Sequence, residues 1–351
     1  ITVFAAAFFI SPALFSDSSA YAKSPQSSFE YKQYESNEDY LKILRRKMRS
    51  VYDNVNEKID EEKTIPIPGV VSTVTRTGSS ITVSGAYVPQ GLCQAGKYML
   101  VTAYDVKKQL NTVIYAVDTE TNELVSTLTL PNRYHAGGIA FDGTNIWMTG
   151  DTSDKYKGSP FVQYMTFDTF LRLIERPLAE VHENDISDPV YIKNRPSFLE
   201  CDKGTLWVGT YIGSKGTSEG YMNGYTIIGS PEEPKLNTVM YRVIAGIDSS
   251  AQGADIDGKY LYVSSSYKGM LQGVKTSFIT KYNLEAADDG SDSIYVNEKE
   301  VSRIEVPKMN EEIIVEGGNI HINFESAADY WSFAVIRTDR ILAIRKSVWG
   351  R

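Results

Sequence analysis

The 351 residues predict an all-β protein, a β-propeller of five four-stranded blades preceded by an N-terminal amphipathic helix. One motif recurs along the chain: a short apolar strand, a turn with glycine, a second strand of alternating apolar residues, then small or polar residues. Its copies are PQGLCQAGKYMLVTAY from Pro89, HAGGIAFDGTNIWMTGD from His135, RPSFLECDKGTLWVGTY from Arg195, AQGADIDGKYLYVSSSY from Ala251 and NEEIIVEGGNIHINFES from Asn310. A second strand pair follows most copies, most clearly in TVIYAVDTETNELVSTLTLP, where strand, polar turn and strand run on directly. FVQYMTFDTFLRLIERPL repeats that theme, as does SFITKYNLE with VSRIEVP, so one unit supplies about four strands, the signature of a propeller blade. The composition agrees, since 23 Tyr, 13 Phe and 4 Trp beside 26 Gly suit strands separated by turns.

Residues 1–22 read as a secretory signal peptide. Ile1 to Phe15 is apolar but too short to span a bilayer, and Ala20-Tyr21-Ala22 offers a small-residue cleavage site. No initiator Met or basic segment precedes the run, so the chain is expected to begin inside the leader, with cleavage after Ala22 and an exported, soluble product without stable membrane insertion. Residues 23–35 are polar and form a flexible lead-in. From Ser36 the period changes: Leu41, Leu44, Met48, Val51, Tyr52, Val55 and Ile59 recur at helical spacing over 36–63. Ser36 can cap this helix, Glu38 and Asp39 suit its positive end, and Pro66 and Pro68 forbid its continuation. Lys42, Arg45, Arg46, Lys47 and Arg49 form a basic cluster that reads first as a solvated face and second as a contact for anionic cell-surface polymer.

Residues 64–351 form the propeller. The turn glycines Gly96, Gly143, Gly204, Gly258 and Gly317 lie 47, 61, 54 and 59 residues apart, which leaves room for inserted loops. A sixth blade would have to hide, degenerate, in 213–235 or 285–300. The last unit lacks chain for a fourth strand, and a ring must close to avoid an open sheet edge. Val70 to Ser84 is expected to supply the missing outer strand.

A formal net charge of -8 removes the basic field that nucleic acid requires, so nucleic acid is excluded as a partner. With 42% hydrophobic residues the chain can bury a large core, which excludes a disordered tail or a disulfide-stapled miniprotein. Cys93 and Cys201 each lie three residues before a turn glycine, in blades one and three, too far apart to bridge. Two free, buried thiols are expected.

PQGL at Pro89, HAGGIAFDG at His135, AQGADIDGKYLYVSSSY at Ala251, VPKMNEE at Val306 and FESAADY at Phe324 together resemble a group of secreted Firmicute β-propeller proteins. That group is loosely similar to the YncE, NHL and gluconolactonase-like propellers. The resemblance covers roughly Tyr87 to Ile344 and implies fold and export, with no activity carried over. Glu312 departs from it, standing where the group tends to have glycine.

Propellers bind at the mouth of the central channel, where the innermost strands begin. The aligned starts bring Gln90, Gln252 and Glu311 there, flanked by His135, Arg195 and Glu325. The expected function is binding of a carbohydrate or peptide at this mouth, by a secreted monomer that can also associate with the cell surface. The competing reading for each polar group is that it satisfies channel waters and its neighbours. A hydrolase or lyase using His135, Arg195, Glu311 and Glu325 is the second functional reading, although a glycosidase wants two facing carboxylates and the strand starts offer only Glu311. A third is a protein-interaction scaffold using loops 152–160 and 212–234 with Tyr156, Tyr211, Tyr221 and Tyr225. His182 and His321 lack ligand spacing, so neither metal nor cofactor is expected.

Overall fold

The structure is a computed structural model that describes residues 33–151, 159–213, 219–266 and 277–349. Five sheets are arranged as the blades of one ring, and a separate hairpin lies outside them. The chain enters through helices α1 (Asn37–Lys47) and α2 (Arg49–Val55). The expected helix therefore forms, but in two pieces that part at Met48 (φ -140). Ser36 caps α1 by accepting the Asp39 N–H at 3.1 Å. The basic cluster faces outward and in part pairs within its own helix, Lys42 with Glu38 at 2.9 Å and Arg49 with Asp53 at 2.8 Å.

Strand β1 (Ile65–Pro66) comes next, then a hairpin of β2 (Thr73–Thr77) and β3 (Ser80–Ser84). Blade one is β4 (Tyr87–Ala95), β5 (Tyr98–Asp105), β6 (Val113–Asp118) and β7 (Glu123–Thr129). Blade two is β8 (Ile139–Phe141), β9 (Asn145–Asp151), β10 (Pro160–Thr166) and, beyond helix α3 (Phe167–Leu173) and strand β11 (Leu178–Glu180), β12 (Val190–Tyr191). Blade three is β13 (Phe198–Asp202), β14 (Thr205–Gly209), β15 (Gly220–Gly229) and β16 (Pro234–Ile247). Blade four is β17 (Ala251–Asp257), β18 (Tyr260–Ser265), β19 (Ser277–Asn283) and, beyond helix α4 (Leu284–Ala287) and strand β20 (Ser293–Tyr295), β21 (Glu300–Val306). Blade five is β22 (Asn310–Glu316), β23 (Asn319–Phe324) and β24 (Arg340–Arg345), completed by β1. The five turn glycines all have positive φ, between 57° and 98°, the conformation that a tight two-strand turn asks of glycine.

The segments that could have hidden a sixth blade are otherwise employed. Among the described residues of 213–235, 220–229 and 234–235 belong to the long strands β15 and β16, and 285–300 hold most of α4 and all of β20. FVQYMTFDTFLRLIERPL is corrected too: after β10 the Thr166 hydroxyl caps a helix, and the following strand leaves its own blade. β11 pairs in parallel with β7 of blade one, and β20 pairs in parallel with β16 of blade three. Blades one and two, and blades three and four, are thus cross-stitched as pairs, while blade five stands alone.

Closure of blade five corrects the sequence expectation. Ile65 and Pro66 pair with Ile341 and Arg340, Ile59 bridges to Ile344, and Asp60 N–H donates to Ala343 O at 2.8 Å. Thr73 to Ser84 instead folds back on itself and lies along β7 and β11 at the outer edge of blade one. There Thr73 meets the Tyr115 hydroxyl, and Gly78 N–H donates to Glu180 at 2.6 Å.

The helices form a strap over this closure. Tyr40, Leu44, Val51 and Val55 are fully buried in one apolar cluster with strands of blades one, four and five. At its upstream end Arg340 and Asp339 form a buried ion pair, 2.7 Å apart. Asp339 also accepts the Gln33 and Tyr34 N–H groups, and Arg340 donates to Asn37 at 2.6 Å. The charges are tolerated inside because each is hydrogen-bonded more than once, and Arg340 lies over the rings of Tyr34 and Tyr40.

Candidate functional site

The innermost strands β4, β8, β13, β17 and β22 neighbour one another in order, and β22 returns to β4. Aligned at their starts, Gln90, Gly137, Ser197, Gln252 and Glu311 form one layer. Gly91, Gly138, Phe198, Gly253 and Glu312 form the next. In that second layer backbones nearly touch. A Cβ on Gly138 would stand 2.5 Å from the Leu199 nitrogen, and one on Gly253 would stand 2.6 Å from the Glu312 Cα. Phe198 turns out of the ring to lie against Gly209, where a Cβ would be 1.9 Å from its Cζ.

Glu312 occupies the space that the glycines leave. Its Oε1 accepts the Ala254 N–H at 3.0 Å and its Oε2 the Leu199 N–H at 3.3 Å, so one side chain of blade five ties down blades three and four. Inner strands have backbone donors facing the axis with no strand to receive them, and a carboxylate answers two at once. Burial nevertheless pushes the Glu312 carboxyl well above its usual range. This accounts for the departure from glycine noted at this position.

All six sequence-predicted residues belong to the end of the ring where the innermost strands begin, and the structure uses them differently. Gln252 Nε2 donates to Glu311 Oε1 at 3.0 Å, which brings blades four and five together. Gln90 turns its side-chain amide to its neighbour, the Pro89 carbonyl, at 2.7 Å, while its backbone carbonyl accepts from Asn323 of blade five at 2.8 Å. Glu325 is buried after β23, with its N–H donated to Met309 O at 3.0 Å. His135 and Arg195 are exposed. The His135 ring lies 4.4 Å from that of Tyr104, and the Arg195 carbonyl accepts from Thr210. Nearby, Tyr211 N–H donates to Ser197 Oγ at 3.0 Å. Of the scaffold tyrosines, Tyr225 is buried, Tyr211 and Tyr221 are half-buried, and Tyr156 lies outside the described residues.

The opposite end holds groups that the sequence reading passed over. A cavity of about 140 Å³ is lined by residues including Cys93, Glu200, Cys201, Asp255 and Glu316. Glu200 accepts the Ile256 N–H at 3.4 Å and Asp255 the Val315 N–H at 2.9 Å, each again tying its blade to the next. Burial pushes Asp255 from its ordinary 3.8 up to about 7, opposed by the Val315 hydrogen bond and helped by nearby acids. Glu200 is raised by burial and then by Asp255. The signal was available, because Glu200 and Asp255 hold equivalent positions in two copies of the motif. Both cysteines are free, Cys93 buried and Cys201 half-buried rather than fully so. Burial raises both thiols, which argues against either as a thiolate nucleophile. His321, in β23, is held down at about 4 by burial and is neutral at pH 7.

These acids set a pH dependence. His321, lowered from 6.5 to about 4, favours folding as pH rises through that window, but Asp255 does the reverse: the folded protein retains a proton on it that the unfolded chain releases near its ordinary pKa, so the Asp255 contribution to stability falls as pH rises from about 4 to about 7 and is level above. Glu200 and Glu312 act in the same direction. Asp255→Asn keeps an acceptor for Val315 without the charge. Its melting temperature is expected to exceed the wild type's by on the order of 5 °C at pH 8, with the difference gone near pH 4. Thermal scans at the two pH values check it, and an equal difference at both refutes the assignment.

No protein-family model matches the chain, and no curated protein matches it. Among solved structures 243 chains match. One belongs to the crystal structure of the nidogen/laminin complex, with 11% identity, a TM-score of 0.37 and coverage of 74% of this chain and 84% of that one. At that similarity the likeness carries no functional argument. Among the described residues, no helix is long and apolar enough to cross a membrane.

Proposed function

We propose that this propeller is a binding protein whose ligand, a carbohydrate or a peptide, sits over the channel mouth at the strand-start end. The observation that carries the reading is the layering there. His135 and Arg195 are exposed at the surface, above a buried amide–carboxyl layer in which Gln252 and Glu311 already bond to each other. Pre-set groups of this kind recognise hydroxyls and amides at little entropic cost. Propellers commonly serve as binding scaffolds, and the leader-like run from Ile1 to Phe15 supports a secreted, extracellular setting, where glycans and peptides are the available partners.

Glycan and peptide arrays with the whole protein identify the ligand class. His135→Ala and Arg195→Ala each remove a charge-capable hydrogen-bonding group, and a loss of roughly ten- to a hundredfold in affinity is expected, with melting temperature unchanged because both side chains are exposed. Unchanged affinity in both variants defeats the proposed mouth. Turnover of any bound compound by the wild type, abolished in Glu325→Gln, assigns a hydrolase or lyase instead.

A further inference from the structure

The two cross-stitched blade pairs are built alike, and the space between their blades differs. In each, the third strand of the second blade ends in a capping residue, Thr166 or Asn283, and a helix follows. The chain then crosses to add a parallel strand to the first blade, and Val181 N–H and Val296 N–H close that strand on Thr129 O and Ala245 O. Between blades one and two the wedge is filled by rings. Phe167 stacks on Phe170 at 5.7 Å and meets Phe141 at 5.1 Å, while Phe170 meets Tyr98 at 5.6 Å.

At the equivalent positions of blades three and four, every ring is replaced by something smaller. Counted from the helix caps, Phe167 and Phe170 correspond to Leu284 and Ala287. Counted from the hairpin turns, Tyr98 and Phe141 correspond to Thr205 and Ile256. Leu284, Thr205 and Ile256 all line a cavity of about 720 Å³, floored further by Trp207 and Ile294. That volume lies within the range of pockets that hold small ligands. The rim carries both signs. Arg242 is bonded to Asp288 at 2.8 Å, and Lys259 and Glu285 stand at the edge.

We propose that this cavity binds an aromatic side chain presented by a peptide segment. The same molecule fills the same architectural space with aromatic rings one blade pair earlier, so the void has the dimensions and the apolar floor for such a ring. The mixed rim suits the uncharged, hydrogen-bonding backbone on either side of it, whereas a fatty chain would answer neither sign of rim charge and a polyanion would face the rim carboxylates. The site lies at the turn end of the ring, away from the mouth proposed above, and stands independently of it.

Blocked tripeptides, acetyl-Gly-Phe-Gly-amide, the Tyr analogue and the Leu analogue, titrated into the full chain by calorimetry, provide the test. The aromatic peptides are expected to bind at least about tenfold more tightly than the Leu peptide, a difference of about 1.4 kcal/mol. Leu284→Phe with Ala287→Phe restores the rings. It is expected to abolish that binding and to raise the melting temperature. Thr205→Tyr restores a single ring at the edge and weakens binding in the same direction, which keeps the test open should the double variant not fold. Equal binding of the aromatic and Leu peptides, or undiminished binding by a folded ring-restored variant, overturns the proposal.

Discussion

A chain that begins after Glu62 is expected to aggregate rather than fold. The deletion spares the closing strand β1 but removes Tyr40, Leu44, Val51, Val55 and Ile59, the first four fully buried against the ring. Each such loss costs about 2–5 kcal/mol, against a total stability of about 5–15 kcal/mol. It also strips Asp339 of the Gln33 and Tyr34 N–H groups and Arg340 of Asn37, leaving a buried ion pair short of its hydrogen bonds. The sequence reading assigned closure to Val70–Ser84, downstream of this cut. The structure places the critical closure upstream, so a longer truncation only adds to the damage. Size-exclusion chromatography with near-ultraviolet circular dichroism decides the matter. A monomeric, cooperatively melting fragment from Lys63 onward would show that the strap is dispensable.

The second large effect needs only a methyl group. Gly138→Ala is expected to destabilise by about 3 kcal/mol or more, because its Cβ meets the Leu199 nitrogen at 2.5 Å and the Phe198 carbonyl carbon at 2.6 Å, both backbone atoms that move only if blade three moves. Gly143→Ala is the control. That glycine has φ +98° and nothing within 4 Å of a Cβ, so the cost is the conformational one alone, about 1–2 kcal/mol. Urea titrations of both variants, read at constant m-value, separate the two. Equal midpoints would mean that the inner strands are not in contact as described.

The features legible in the sequence were those with a local cause. Turn glycines announce the hairpins, and the Ser36 cap and three-four spacing announce α1. The misplaced closing strand shows where local reasoning stops. Residues 70–84 are rich in Val and Thr and look like an edge strand, whereas Ile65–Pro66 is two residues long and has its conformation only because β24 receives it. β11 and β20 are three residues each, too short for any periodicity, and are made by the neighbouring blade. At the channel, alignment put the predicted residues at one end of the ring. It could not show that the Gln90 backbone carbonyl is taken by Asn323, over two hundred residues away, while the side-chain amide turns to Pro89. The acids of the other end went unread because attention to strand starts overlooks the strand ends, where Glu200 and Asp255 lie.

Closing blade five with segments far apart in the sequence has a consequence for the order of events during synthesis. The strap is translated well before β24, which ends at Arg345. At roughly 5–20 residues per second the ribosome needs on the order of tens of seconds to make what lies between, and throughout that time the Tyr40–Val55 stripe lacks the cover that blade five gives it. Short helices do not hold their form alone in water, so the strap waits as open chain, a natural client for a chaperone. A circular permutant that carries residues 33–68 downstream of β24 would make strap and blade five consecutive, which turns a pairing of distant segments into a local one.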